Sequence, residues 1–498
     1  MTTKILFWID RGLYQYGIAK YIQKNIPCEV SVIYEVNSQL KKIFQEQEFV
    51  KFQKEWYFWD ETKLNSKPDF DYLKTIEKKY NINLWLWAYN DRLLYGYNQL
   101  YKFSYEEILS ITEKTCKFYE KILEELKPDY LIIKNTDSYR THLLKLMCNA
   151  KNIKTLMIVN SRFTGRMSIR EDILHMITNN KINTTNEIKF DLDTIRNKHH
   201  PSKRQSQIKL LANVPIKHRV IPALDWLTSS LNDNDKKMYT RYGISKLSVL
   251  KIQLLTFFRK NHRKKFIDKK FSLTIDPNQK FVYYALHVQP ERTISIDSPF
   301  YNNQIDIIRN IAKSIPSNFL VYVKEHPTQV AYAWHPISYY EQIMSLPNVI
   351  LIHPSVDSEE LIKKSSLVTT IGGTVGLECG YFNKHCITFT DTEFSHLSHV
   401  HLIKNIEELP DVIRNSLDKE VDKKEIESFY EKTYNNSIGI DEVELDKSIN
   451  NTFFRGTWTM RNDISPNQVY QYFEDNQTTY EKIAQEFIKV IELTKNKI

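Results

Sequence analysis

A chain of 498 residues with 42% hydrophobic and 26% charged side chains holds enough apolar material for two or more cores, which excludes a disordered or fibrous protein. Its 69 basic against 60 acidic residues leave a net +9, which suits phosphate-bearing ligands or an anionic membrane surface; with no zinc-knuckle spacing and no RNA-binding motif, no nucleic-acid partner is expected. Five scattered cysteines, an N-terminal apolar run too short for a signal peptide, and no run near the ~18 apolar residues of a membrane span predict a reduced, cytoplasmic protein.

Ile5 to Ile9 reads as a first strand, ending at Asp10-Arg11-Gly12, with a helix beginning near Tyr16. Glu29 to Tyr34 is a second strand, and the aromatic stretch Trp56 to Trp59 is ambiguous. Ser104 to Leu126 has a helical period through Ile108, Ile111, Thr115, Phe118 and Ile122. The strand Tyr130 to Ile133 runs into Lys134-Asn135-Thr136-Asp137-Ser138-Tyr139-Arg140, followed by a helix over Leu143 to Ala150 and a strand over Thr155 to Val159. Strand-then-helix order predicts an α/β unit. A polar insertion follows at about 178–207, then a helical, basic linker at about 229–275 in which Phe257, Phe258, Phe266 and Phe271 interleave with lysines and arginines. That segment suits an anionic membrane surface or, equally, an interdomain helix with solvated charges.

From Asp276 a second α/β unit begins. Its expected strands are Phe281 to His287, Phe319 to Val323, Val349 to Ile352, Leu367 to Ile371 and Cys386 to Phe389. Helical periods separate them, and Asp357 with Glu360 predicts a capping box. Short apolar runs alternating with helices imply a parallel sheet covered on both faces, with ligands beyond the carboxyl ends of its strands. A last helix is expected at about 480–498. The division predicted is 1–275 and 276–498.

Polar clusters fall at those strand ends. Lys324 and His326 can donate to a phosphate, with Pro327 fixing the turn; the plainer reading is a surface loop with a capping histidine. Gly372-Gly373-Thr374 stands where a strand enters a helix, so its amides can meet an anion, or it is a plain tight turn. Glu378, one turn on, suits a sugar hydroxyl or is an ordinary first-turn carboxylate. Gln289, Glu291 and Arg292 offer an amide, an acid or base and a phosphate fork, or form a solvated turn. In the first half Asp10, Arg11, Asp137 and Arg140 lie at strand ends, where a general base or a salt bridge is expected. The pairs Asp69/Asp71, Asp191/Asp193 and Asp233/Asp235 sit away from strand ends and read as solvated charge, so no metal site is expected.

The run Ala285 to Thr293, then Tyr322 to Pro327, Leu346 to Val349 and Thr370 to Glu378, resembles bacterial capsular polysaccharide biosynthesis proteins, which are similar to glycosyltransferases of the GT-B fold. The His326-Pro327 element also resembles that of sialyltransferases, polysialyltransferases and Kdo transferases, which use CMP-activated sugars. The likeness spans about 276–395. It implies two Rossmann-like domains facing across a cleft, an acceptor-side N-terminal domain, a nucleotide-sugar-binding C-terminal domain and a last helix crossing back to the first. It implies His326 and Lys324 on the donor phosphate, Thr370, Gly373 and Thr374 in the phosphate loop, Glu378 near the ribose, and no cofactor or metal. The N-terminal half matches no family pattern, which leaves the acceptor and the base open.

The function expected is therefore transfer from a CMP- or UDP-activated sugar to a saccharide or lipid-linked saccharide in capsule biosynthesis, by an enzyme that is cytoplasmic or peripheral at the inner membrane. Asp10, Asp137, Glu291 and His326 are the catalytic candidates. The alternatives are a CDP-polyol phosphotransferase of the teichoic-acid type, a nucleotide-sugar epimerase, and a non-catalytic capsule assembly or export partner.

Overall fold

The structure, a computed structural model, describes residues 2–62, 67–171, 191–192, 195, 233–417, 419–454 and 464–495. Asp193 and all of the expected polar insertion but 191–192 and 195 lie outside the described residues. The chain forms two compact units. The second runs from Leu247 to Lys432; the first holds the N-terminal portion, the segment ending at Lys246, and the chain from Thr433 onward.

The first unit is built on six strands: β1 (Thr3–Asp10), β2 (Cys28–Glu35), β3 (Glu55–Tyr57), β4 (Tyr130–Ile133), β5 (Lys154–Asn160) and β6 (Met167–Arg170). Their order across the sheet is β3-β2-β1-β4-β5-β6, all parallel except β6, which is antiparallel to β5. The interior of β1 is buried on both faces. Ile5, Phe7 and Ile9 enter one core while Leu6 and Trp8 enter the other, so the two-residue period of a strand feeds two layers of helices.

The second unit repeats the plan with β7 (Phe281–Ala285), β8 (Leu320–Lys324), β9 (Val349–Ile352), β10 (Leu367–Thr370), β11 (Cys386–Thr388) and β12 (Val400–Leu402). The order is β12-β11-β10-β7-β8-β9, parallel throughout. Val282 and Tyr284 pack into one core, and Phe281 and Tyr283 into the other. In both sheets the chain steps outward to one side of the first strand and returns to the other. The switch points lie between β1 and β4 and between β7 and β10, where such folds bind ligands beyond the carboxyl ends.

The division differs from the one expected at 275/276 in two places, each for a packing reason. Ile267 and Phe271, at the end of the Lys246–Lys270 helix, are buried in the second unit's core. Ile440, Leu445, Ile449 and Phe453, in and before the Glu442–Phe453 helix, are buried in the first.

The Gln477–Lys495 helix also lies on the first unit, against the Tyr14–Asn25 helix. Gly17 permits the approach: a Cβ there would sit 2.4 Å from Phe473 Cδ1 and 3.0 Å from Tyr480 Cδ1. Tyr21 Oη donates to the Phe473 carbonyl at 2.9 Å, which fixes the ring beside that gap. Gly17→Val is therefore expected to destabilise the protein by about 3 kcal/mol, read as a lowered melting temperature, with Gly17→Ala costing less. A valine variant melting with the wild type would mean that Phe473 has room to move.

Candidate active site

At the β7–β10 switch point two histidines and a glycine pair come together. His287, two residues beyond β7, is buried, and its Nε2 lies 2.9 Å from Thr370 Oγ1 at the end of β10. The Gly372 amide donates to the same nitrogen at 3.3 Å, and the Gly373 amide donates to Thr370 Oγ1 at 3.2 Å. Nε2 therefore accepts, so the neutral ring carries its hydrogen on Nδ1. Burial, and then His326 close by, lower the His287 pKa to about 4, so it stays neutral at physiological pH.

Neither Gly372 nor Gly373 has a positive φ. Space is what calls for glycine. A Cβ on Gly372 would lie 2.5 Å from Thr390 Cγ2, and one on Gly373 would lie 2.8 Å from Thr370 Oγ1 and 3.3 Å from His287 Cε1. The helix expected after the loop is short: Val375–Glu378 is a single turn, continued by a 3-10 turn over Cys379–Phe382. With the Gly372 and Gly373 amides donating to His287 and Thr370, the Thr374 amide, more than a helix dipole, is what the loop can offer an anion.

His326 follows β8 and caps the 3-10 turn Pro327–Tyr332, with Pro327 opening that turn. Its Nδ1 accepts from the Thr328 amide at 3.3 Å and lies 2.6 Å from Thr328 Oγ1. The neutral ring then carries its hydrogen on Nε2 as a donor. His326 is thus the capping histidine of the plainer reading, and the capping fixes its tautomer.

Glu325 supports that loop from beneath. Its carboxylate is fully buried, accepts from the His326 amide at 2.8 Å and from Tyr340 Oη at 2.6 Å, and lies 3.8 Å from His335 Nε2. Burial raises its pKa to about 7, outweighing the two donors. A carboxyl whose folded pKa exceeds its unfolded value stabilises fully below the unfolded pKa and loses that contribution as pH rises through the folded one. Stability should therefore fall between about pH 4.5 and 7, by on the order of 3 kcal/mol from this group. Glu325→Gln should flatten that slope in denaturation curves taken across the range. An unchanged slope would remove Glu325 as its source.

Lys324 and His326 are near neighbours in sequence but have different partners. The Lys324 ammonium is buried and donates to Ser358 Oγ at 2.5 Å, and burial lowers its pKa to about 8 despite Asp357 nearby. Gln289 is used within its loop: its amide N–H donates to Gln329 Oε1 at 2.9 Å and its Nε2 to the Asn302 carbonyl at 2.6 Å. Arg292 pairs with Asp297 at 2.7 Å, and Glu291 is exposed. Thr374 begins the Val375–Glu378 turn, and Glu378 is half-buried two strands away from Lys324. Thus His326, Thr370, Gly372 and Gly373 gather around His287, while Lys324, Gln289 and Arg292 are engaged elsewhere.

In the first unit the β1–β4 switch point gathers charge. The half-buried Asp10 accepts from the Gly12 amide at 2.7 Å. Burial raises its pKa, opposed by Lys134 and the Gly12 amide and helped by the exposed Asp137. Glu35, at the end of β2, pairs with Arg140 at 2.7 Å; burial still lifts its pKa to about 6. Arg140 thus realises the salt-bridge expectation. Burial would lower the Lys134 pKa, but Glu442 at 3.2 Å and Asp446 at 2.9 Å outweigh it and hold the ammonium charged.

Of the Asp-x-Asp residues, Asp69 caps the Phe70–Tyr80 helix and Asp235 accepts from the Ser38 amide and hydroxyl at 2.8 and 2.6 Å. Among the described residues, no group of three or more His, Cys, Asp or Glu is arranged to hold a metal ion. No helix among them is long and apolar enough to cross a membrane.

The sequence reading did not single out His287, Glu325, Glu35 or Lys134 as site residues. One signal could have found His287 and Glu35: each closes a buried strand flanking or forming a switch point of a Rossmann-like sheet.

No curated protein matches the chain. Among solved structures, the UDP-GlcNAc 2-epimerase from Methanocaldococcus jannaschii is similar at 15% identity, covering 86% of this chain and 98% of its own, with a TM-score of 0.25. The Thermosulfurimonas dismutans KpsC, a beta Kdo 2,4 transferase, is similar at 10% identity over 61% of this chain and 79% of its own, with a TM-score of 0.31. Likenesses of that size are too slight to carry a functional assignment. Residues 231–397, about a third of the chain and most of the second unit, match the family described as capsule polysaccharide biosynthesis protein.

Proposed function

We propose that the protein is a nucleotide-sugar-dependent glycosyltransferase of capsular polysaccharide biosynthesis. It takes a CMP- or UDP-activated sugar and passes it to a saccharide or lipid-linked saccharide acceptor on the cytoplasmic side of the membrane. One observation carries the reading: His287, His326, Thr370, Gly372 and Gly373 converge at the switch point of a parallel sheet, inside the segment that matches the capsule family.

The second unit takes the donor. His326 Nε2–H and the Thr374 amide meet the phosphate, whose negative charge grows as the sugar–phosphate bond breaks. Fixed donors of this kind stabilise the leaving group without reorganising during the step. His287 keeps the loop in place through Thr370 and the Gly372 amide, and Glu325 holds the His326 backbone. Glu378 takes a ribose hydroxyl.

The first unit takes the acceptor. Asp10, made more basic by burial, removes the acceptor hydroxyl's proton in an inverting transfer. In the same unit Asp91 ends the Leu84–Asn90 helix and accepts from the Tyr139 amide at 3.2 Å, with the exposed rings of Tyr89 on that helix and of Tyr95 and Tyr97 after it. Tyr89 and Tyr95 pack at 4.7 Å, a surface on which a sugar ring can stack.

The test is incubation of the purified protein with CMP-, CDP- and UDP-linked donors, with and without saccharide acceptors and with and without chelator. Release of nucleotide coupled to a lengthened saccharide, undiminished by chelator, is expected. Transfer of a polyol phosphate would favour the phosphotransferase instead, and a changed donor sugar without transfer would favour the epimerase. Absence of nucleotide binding would point to a non-catalytic partner.

A further inference from the structure

The Lys246–Lys270 helix has two unlike faces. Val249, Ile252, Thr256, Lys260 and Arg263 are half-buried and Ile267 is buried, at the three- and four-residue spacing of one face. The end of that face is anchored to the second unit. Arg263 donates to the carbonyls of Ala333 and Trp334 at 3.1 and 2.8 Å, and the rings of Phe266 and Phe271 pack on Tyr340. Those three residues, part of the basic-aromatic segment the sequence offered to a membrane, are therefore used in packing.

The opposite face is uncovered. Leu247 is 80% exposed, Leu250 50%, Leu254 55%, Phe257 61% and Phe258 66%. Their spacing lines them up as one stripe over three turns. Scattered exposed apolar residues are ordinary, but a continuous row of five large ones marks an interaction surface. Farther along the same stripe the exposed residues become His262, Lys265 and Lys269. The whole helix carries nine Lys and Arg against one acid, Asp268, which already pairs with Lys264 at 2.5 Å. Lys265 and Lys269 form no ion pair among the described residues.

We propose that this face docks on an anionic lipid bilayer. Leu250, Leu254, Phe257 and Phe258 enter the headgroup region while Lys265 and Lys269 rest on lipid phosphates. Charge decides between occupants. A second copy of this helix would bring Lys251, Lys265 and Lys269 against an equally basic row, whereas anionic lipid neutralises them. The docking concerns where the protein works and stands apart from the chemistry proposed above.

The test is co-sedimentation of the full chain with phosphatidylcholine vesicles, with and without phosphatidylglycerol, at low and high salt. Binding only to phosphatidylglycerol vesicles, weakened by salt, is expected. Leu254→Ser/Phe257→Ser/Phe258→Ser and, separately, Lys265→Glu/Lys269→Glu should each lower the partition coefficient by roughly 10-fold or more, with nucleotide binding unchanged. Equal binding to both vesicle types, no binding, or variants matching the wild type would overturn the proposal. So would a dimer in analytical ultracentrifugation that the triple-serine variant dissolves, because the stripe would then belong to a second copy.

Discussion

His326→Ala should cut glycosyl transfer by roughly 10²–10³-fold, the cost of losing one fixed donor to a developing oxyanion, while the protein stays folded. The expectation rests on geometry. His326 Nδ1 is committed to Thr328, so Nε2 carries the hydrogen, and Glu325 holds the backbone from a buried position. Removing the imidazole also removes a cap on a short 3-10 turn, which costs about 1 kcal/mol. That is far too little to explain a loss of this size through unfolding. The measurement is kcat and KM on the same donor, beside a melting curve. A role in the transition state lowers kcat at near-constant KM, whereas a role in ground-state binding raises KM. Wild-type turnover in a folded variant would remove His326 from the chemistry.

Asp10→Asn should lower kcat by about 10³-fold and leave nucleotide affinity intact, because the residue belongs to the other unit. Asparagine keeps the size and can still accept from the Gly12 amide, so the turn at Gly12 should survive. Asp137→Asn is the control. Asp137 is exposed, and only part of the upward shift on Asp10 comes from it, so its loss should change the rate far less. If Asp137→Asn or Glu35→Gln abolished transfer while Asp10→Asn did not, the base would have to be reassigned within this cluster.

Much of the fold was legible because buried parallel strands write continuous apolar runs. Tyr130–Ile133 and Val349–Ile352 have the boundaries expected, and Ser104 caps its helix with Glu107 completing the capping box. Asp357 also caps as expected, but Glu360 turns outward to Lys364, so that capping box is only half made. The strands that went unread are β3, β6 and β12. Two of them are three-residue edge strands, too short for any period to show, and β3 passes directly into the helix Phe58–Glu61 within the ambiguous aromatic stretch.

The site was legible in its motifs and not in its partners. His326-Pro327 and Gly372-Gly373 stand out locally. The role of His287 comes from Thr370, 83 positions away, across a pairing that the chain makes only after three crossovers. Lys134 is likewise defined by Asp446, 312 positions on, in a segment that returns to the first unit. Conversely, Gln289 and Arg292 looked available in sequence because Gln329 and Asp297, their partners, gave no local sign of pairing.

The most direct measurement is a crystal structure of the protein with CMP or UDP bound. The account predicts the phosphate against His326 Nε2 and the Thr374 amide, with the ribose toward Glu378. A nucleotide seated instead at the Asp10–Lys134 cluster of the first unit, or held in the second unit away from His326 and Gly373, would contradict it.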